Sequence, residues 1–538
     1  MRRTLNEKNL RRLTTAVFFS SLLLLGLLLH RGYGIGWDEP ADREGGFISL
    51  RYVAKILAPS VLEQGHFANL PELATYQEAD HGVAFQLPMA VMEIIFFRHD
   101  IQGAYWMRHL LCFAAFVLGV WAVYRVGTER FGSWRWGLVG AAMLVLSPRI
   151  FGEAFYNHKD VVFMSLFALG GFTLLQFLRR PTLRWALVHA LVTALAVDVR
   201  IMGLYLGALT GVAMLLEMRA RPLRRPVILR TFSVYVLVAG LLVVLFWPYL
   251  WEAPVQRLWA CFRSFRHFRM DIPVFYLGKM LTSEHLPWHY LSVWLLVTTP
   301  VVYTVLFLGG AGAVLTALFR TPAALLGRVA GRRDLLFGAW FLGPLVIIVA
   351  VNSVVYDGWR HVYFIYPAFV LLAVRGLRMG VLAWQAAVPS SAGRRLGLAA
   401  GALLVLGTGH TAIRQAAGHP YQYTYFSFLP GPTAGQLFER DYWGISGING
   451  LDWLLAHDRR ATIAISDTSY CESLVGNNLL LLSPAGRARV RMVHHSQARY
   501  FFGFYRWHPA PYDASYGVPI HEIRAGGLPI LTVFRRRE

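Results

Sequence analysis

"GIGWDEPADRE", residues Gly34–Glu44, follows closely on the apolar run Ala16–Leu29. It places two adjacent carboxylates, Asp38 and Glu39, between an indole and Pro40. What these acids do depends on what the preceding run is. Arg2, Arg3, Lys8, Arg11 and Arg12 lie ahead of it, as in a signal peptide. No small-x-small cleavage pattern follows, however, and His30, Arg31 and Tyr33 come next. The run therefore reads as an uncleaved first transmembrane helix, with the acid pair just outside the membrane.

The rest of the chain agrees. Its 538 residues are 56% hydrophobic, with a mean hydropathy of +0.45, too apolar for a soluble protein of this length. Further spans are expected at 104–124, 136–151, 161–178, 185–197, 201–217, 232–251, 290–318, 335–351, 362–374 and 396–411. That makes about eleven, each near the roughly 20 residues a bilayer requires. Arginine crowds alternate short loops: "RVGTERFGSWR" (125–135), "RRPTLR" (179–184), "RARPLRRPVILR" (219–230) and "RTPAALLGRVAGRR" (320–333). The intervening loops carry little more than Lys159, Arg200 and Arg360. The positive-inside rule puts the N-terminus in the cytoplasm and the C-terminal tail outside. The net charge of +22 is then a topology signal with attraction to anionic lipid. A nucleic-acid partner would need basic residues gathered on a soluble face, and none is expected.

Chemically unusual residues fall on the outward side. The first outer loop (31–102) contains "PADREGGFISLRYVAKIL", patterned as an interfacial helix, and "VAFQLPMAVMEIIFF" (83–97), a proline-broken re-entrant or surface-lying piece. In "EAPVQRLWACFRSFRHFR" (252–269), Val255, Leu258, Trp259, Phe262 and Phe265 recur at helical spacing among arginines, as in a helix lying among headgroups. After Gly418 the composition becomes mixed. Strands are expected at 461–466, 489–493 and 498–505, a helix in "SYCESLVGNNLLLL", and a hairpin over 519–535 turning at Ala525–Gly527. This is a small outward α/β domain. Cys261 and Cys471 both lie outside and could pair in an oxidising compartment, but their spacing does not decide it.

Each polar cluster has a structural and a chemical reading. Asp38 or Glu39 could cap the helix that Pro40 starts; alternatively, one carboxylate could take a proton from a hydroxyl, its pKa raised by the like charge beside it. Glu153, Tyr156, Asn157, His158, Lys159 and Asp160 crowd one short loop, where Asp160 could cap the next helix and Lys159 could meet a phosphate. Asp198 and Arg200 could form a mutual ion pair, or Arg200 could hold a lipid phosphate. Asp357, Trp359, Arg360 and His361 form either an aromatic-belt turn or a phosphate grip, since a guanidinium binds phosphate bidentately. Trp288 and Tyr290 read as belt residues, and His289 beside them is an accessory candidate.

The acid pair after the first span, the long amphipathic first outer loop and polar clusters confined to the outer loops together resemble the GT-C glycosyltransferases. Within these, the chain is similar to the protein O-mannosyltransferase and ArnT-like superfamily, glycosyltransferase family 39. "WDEP" looks like that family's Asp-Glu motif. "LPWHYL" resembles its Pro-Trp-Tyr-Tyr-type motif. "RHVYFIYPAF" resembles its Arg-Tyr-x-x-x-x-x-Pro-type motif, with His361 in the tyrosine position.

The resemblance implies a polytopic α-helical membrane protein of GT-C type. Residues 1–412 would form the catalytic domain and 413–538 a periplasmic α/β domain, in a bacterial inner membrane. It implies inverting transfer of a sugar from a polyprenyl-phosphate donor to a hydroxyl of a glycan, lipid or protein acceptor on the outer face. Asp38 would be the base and Glu39 its tuning neighbour. Arg360 would grip the carrier phosphate, helped by Lys159, Arg200 and His361. Glu153, Tyr156, Asn157, His158, Asp160 and His289 are accessory candidates. Some members of the wider fold use a divalent metal ion, for which Asp38, Glu153 and Asp160 could supply oxygens. The rival classes are a transporter or lipid flippase, motivated by Asp198 and Arg200, and a non-catalytic envelope assembly protein acting through its tail.

Overall fold

The computed structural model describes residues 2–60, 67, 69–266, 271–468 and 474–536. All eleven apolar runs become helical. Among the described residues nine helices are long and apolar enough to cross a membrane: Asn6–Leu29, Ile101–Phe131, Asp160–Arg179, Ile201–Ala220, Pro222–Phe246, Val301–Arg320, Val329–Ala350, Arg360–Ala387 and Ser391–Ala417. The other two runs give shorter helices, Trp134–Val145 and Leu183–Val199. The run at 290–318 divides into Tyr290–Thr298 and Val301–Arg320. Pro300 causes the break, because it has no N–H to donate and its ring clashes with the preceding turn.

The long segment 31–102 folds into helices Glu39–Leu57 and Gln86–Phe96. They pack through Phe47 and Ala90 and are joined by Arg43 and Glu93, 2.5 Å apart. Helix Pro254–Arg266 leaves Val255, Trp259 and Phe262 exposed, the apolar face of an interface-lying helix. A short antiparallel hairpin follows, β1 (Pro273–Tyr276) and β2 (Lys279–Thr282). The sequence reading does not include it, because four-residue strands carry little periodicity.

The C-terminal region forms a five-stranded mixed sheet from β3 (Ile463–Asp467), β4 (Val490–Met492), β5 (Tyr500–Phe504), β6 (Val518–Ala525) and β7 (Leu528–Arg535), in the order β4-β3-β5-β7-β6. β3 runs parallel to β4 and β5, and the β6–β7 hairpin completes the sheet antiparallel. Its turn is Gly526-Gly527, both at positive φ, where glycine costs no Cβ clash. Helix Gly447–His457 packs on this sheet. Cys471, and so its pairing with Cys261, lies outside the described residues, as do Arg269 and much of the "SYCES" segment.

One continuous apolar core runs from Phe113 and Phe155 in the bundle to Phe502 and Val533 in the sheet. The seam between bundle and sheet crosses the opening stretch of sequence. Trp37 N–H donates to Trp443 O at 3.1 Å, and Ile35 N–H to Asn478 Oδ1 at 3.0 Å. A Cβ on Gly34 would lie 2.2 Å from Ile445 O. The glycine is therefore what lets the C-terminal chain close over the acid pair.

Candidate functional site: an acid and guanidinium cluster under the C-terminal region

Helix Glu39–Leu57 starts at the acid pair, with Pro40 in its first turn. Asp38 occupies the N-cap position, yet its side chain makes no capping hydrogen bond. Glu39 reaches back instead, its Oε1 accepting from Gly36 N–H at 2.7 Å. The two acids thus point to different places. Glu39 is buried with its Oε2 3.1 Å from His109 Nε2, and His109 Nδ1 lies 3.1 Å from His30 O. An oxygen thus faces each ring nitrogen of His109.

Asp38 turns to Arg360, whose Nη1 donates to Asp38 Oδ2 at 2.6 Å. The same guanidinium lies 3.0 Å from Asp357 Oδ2 and 3.4 Å from Asp160 Oδ2. It is sandwiched by aromatic rings, 4.9 Å from the Trp443 centroid and 5.1 Å from that of Tyr356. Asp357 and Gly358 both adopt positive φ. This reversal brings Asp357 back onto Arg360, and Tyr290 Oη, accepting from Gly358 N–H at 3.0 Å, secures it.

The flanking cations also have carboxylate partners. Lys159 Nζ sits 2.7 Å from Asp42 Oδ1, and Arg200 pairs with Asp160. Arg200 therefore does not pair with Asp198. Asp198 is buried and accepts from Ala84 N–H at 2.6 Å, pinning the long segment 31–102. A Cβ on Gly82 would come within 1.8 Å of Asp198 O, so this docking too requires glycine.

Burial alone would raise Asp38, but Arg360, Lys159 and Arg200 outweigh it and hold the carboxyl well below the usual carboxylate range. This corrects the expectation that Glu39 pushes Asp38 upward: Glu39 faces His109, and cations surround Asp38. Burial would lower Lys159, but Asp42 and Asp38 push it higher and keep it charged. Burial, reinforced by Arg108, holds His158 well below the ordinary imidazole range. Its Nε2 stands 3.6 Å from Glu39 Oε2.

The crowded loop forms a network behind the cluster. Glu153 Oε1 accepts from Tyr363 and Tyr442 hydroxyls at 2.7 and 2.6 Å, and burial raises its pKa. Asn157 Nδ2 bridges Glu153 and Asp160, at 2.8 and 3.1 Å. Asp160 is the first residue of the next helix rather than its cap, and its backbone N–H donates to Asn157 Oδ1 at 2.8 Å. Tyr156 is buried with its ring 5.5 Å from that of Trp443. His361 packs edge-on against Tyr356 at 4.7 Å. His289 lies apart from the cluster, hydrogen-bonded to Tyr276 Oη at 2.7 Å.

As a divalent-metal site, Asp38, Glu153 and Asp160 do not fit. Asp38 and Asp160 both face Arg360, Asp160 also faces Arg200, and Glu153 accepts from tyrosines. No group of three potential ligands converges among the described residues.

A cleft opens beside the cluster, bounded by Arg200, His361, Tyr356, Trp247 and the Gln77–Gly82 segment. The C-terminal region adds residues absent from the sequence-based site. Arg506 pairs with Asp357, stacks on Trp37 at 5.4 Å and approaches buried Glu439 at 3.9 Å. The signal in sequence was slight: one arginine inside the aromatic string "FYRWH", and a tryptophan after "RDY".

No protein-family profile matches the chain, and no curated protein matches it in sequence. In three dimensions it is similar to two crystal structures of ArnT from Cupriavidus metallidurans. One, bound to undecaprenyl phosphate, aligns with a TM-score of 0.51 at 13% identity, over 97% of this chain and 98% of that one. The other, in the apo state, aligns with a TM-score of 0.50 at 13% identity and the same coverage. The chain has an ArnT-like GT-C fold over nearly its whole length.

Proposed function

We infer that this protein is a membrane glycosyltransferase that transfers a sugar from a polyprenyl-phosphate donor to an acceptor hydroxyl. The observation that carries this reading is the Asp38–Arg360 contact of 2.6 Å beside a cleft walled by Arg200 and His361. A carboxylate for a hydroxyl proton and guanidiniums for a phosphate stand side by side. The fold supports it, since an ArnT of the same architecture was crystallised with undecaprenyl phosphate.

In the proposed reaction the acceptor oxygen attacks the anomeric carbon as the bond from that carbon to the phosphate oxygen breaks. The bonding pair leaves with the polyprenyl phosphate, the acceptor proton passes to Asp38, and the anomeric configuration inverts. Arg360 stabilises charge developing on the phosphate, with Arg200 and Lys159 beside it and His361 on the cleft wall. All three cations are engaged by carboxylates. Donor binding therefore exchanges partners: as Arg360 turns to phosphate, Asp38 loses the charge that suppresses its basicity. Glu39 orients the helix start through Gly36 and does not tune Asp38.

The arginine distribution supports a cytoplasmic N-terminus and a periplasmic site in a bacterial inner membrane. We divide the chain into a catalytic part, 1–412, and a C-terminal domain, 413–538, that also roofs the cluster. The observations behind the rival readings now have other roles: Asp198 anchors a loop, and the tail supplies Trp443 and Arg506 to the cluster.

The test is sugar transfer from a polyprenyl-phosphate sugar by the purified full-length protein, wild type against Asp38→Asn. Transfer is expected in the wild type and a fall of about 10²–10⁴-fold in the variant. Full activity in Asp38→Asn removes Asp38 as base, and no turnover of any lipid-linked sugar removes the enzyme reading.

A further inference from the structure

At the opposite end of the bundle lies a second cavity that the transfer reaction does not use. Helix Asp160–Arg179 has the acid cluster at its start, and its 20 residues carry it about 30 Å to Arg179. There a groove of about 440 Å³ opens between this helix, Leu204–Ala220 and Val329–Ala350. Its mouth holds Arg179, Arg221, Arg332 and Arg333 against a single carboxylate, Glu217.

Glu217 is already committed. Its Oε1 accepts from Arg332 at 2.9 Å, and its Oε2 lies 3.2 Å from Arg221 Nε. Arg333 Nη1 donates to the backbone Glu129 O at 3.0 Å, and the Glu129 carboxylate, which accepts from Gln176, is also close enough to act on it. Arg179 is exposed and has no carboxylate paired to it among the described residues. With Arg179, Arg221, Arg332 and Arg333 against Glu217 and the nearby Glu129, the mouth keeps a surplus of positive charge.

Above the mouth the walls are apolar, formed by Leu209, Val212, Leu216 and Leu336, with Ala339 at the inner end. From Arg333 to Ala339 helix Val329–Ala350 rises about 9 Å, so the apolar wall covers the outer part of one leaflet's roughly 15 Å of hydrocarbon. A free phosphate would use the mouth and leave the walls empty. A lipid with an uncharged or balanced headgroup would use the walls and leave the arginines without a counter-charge.

We propose that this groove binds an anionic glycerophospholipid, its phosphate headgroup at Arg179 and Arg333 and one acyl chain along Leu209, Val212 and Leu336. Guanidinium forks bind phosphate oxygens, and basic pockets between membrane helices hold anionic headgroups on this principle. The site is independent of the transfer reaction.

The test is native mass spectrometry of the full-length protein in neutral detergent, titrated with phosphatidylglycerol, with phosphatidylcholine of the same chains, or with inorganic phosphate. The wild type is expected to bind phosphatidylglycerol at least about fivefold more tightly than phosphatidylcholine, and inorganic phosphate is expected not to compete at equal concentration. Arg179→Gln should abolish that preference. Val212→Trp, which fills the groove, should weaken both lipids while sugar transfer stays unchanged. Equal affinity for the two lipids, displacement by phosphate alone, or a preference that survives Arg179→Gln combined with Arg333→Gln overturns the proposal.

Discussion

Arg360 Nη1 and Asp38 Oδ2 lie 2.6 Å apart although 322 positions separate them in the chain. The guanidinium serves three carboxylates at once, since Asp357 and Asp160 are also within 3.4 Å. It is 2% exposed, so the cluster is balanced only while each partner is present.

Replacing Arg360 should therefore cost more than activity. Arg360→Gln leaves Asp38, Asp160 and Asp357 sharing a buried space without their common cation, a loss of about 3–5 kcal/mol for a buried pair. Thermal unfolding in detergent should show a clear drop in Tm. Arg360→Lys should recover part of the Tm but little of the transfer, because an ammonium cannot reach three carboxylates with a planar fork. Equal Tm values for the wild type and Arg360→Gln would contradict the cluster's structural role.

Asp38 sets a pH dependence with a definite sign. Its carboxyl is held below the ordinary value of 3.8, so the folded state binds its proton less readily than the unfolded chain does. Its contribution to stability is complete above that ordinary value and disappears as the pH falls toward the lower folded value. The difference in Tm between the wild type and Asp38→Asn should be constant from pH 8 to about pH 5 and shrink below about pH 4. By the same reasoning, kcat/KM should have no acid limb from Asp38 above about pH 5.

Arg506 connects the C-terminal sheet to the cluster. Arg506→Gln leaves Asp357 with Arg360 as its cation partner and removes the cation stacked on Trp37, next to Asp38. Transfer should fall by about tenfold, chiefly in kcat. Asp357→Asn in the same background should add little, because the two residues act together. Additive losses in that double-mutant cycle would show that they act separately.

Two glycines are predicted to be intolerant of substitution. Gly34→Ala would press a methyl against Ile445 O, and Gly82→Ala against Asp198 O. Both obstacles are backbone, so each change should cost about 1–3 kcal/mol. Gly240→Ala, where a Cβ meets nothing within 4 Å, is the control and should leave Tm unchanged.

Much of this architecture is legible along the chain. All eleven apolar runs are helices because a backbone in hydrocarbon must satisfy its hydrogen bonds within the segment, and a 20-residue apolar run states that plainly. The strands of the C-terminal sheet announce themselves through β-branched and aromatic residues between turn signals. Asp38, Arg360, Asp160, Arg200 and Lys159 stand out because charge beside a membrane is costly. Local sequence could not show which acid meets which cation. Asp198 and Arg200 are two residues apart and look paired, yet one anchors Ala84 and the other reaches Asp160.

Sequence by itself determined the membrane class and the helices, because hydropathy acts over short stretches. Only the tertiary structure decided that Asp38 and Glu39 part company, that Asp38 is held low rather than raised, and that Trp443 and Arg506 complete the site. Those outcomes depend on Coulomb interactions and ring contacts between groups hundreds of residues apart, and such energies depend on distance in space, which no local pattern encodes.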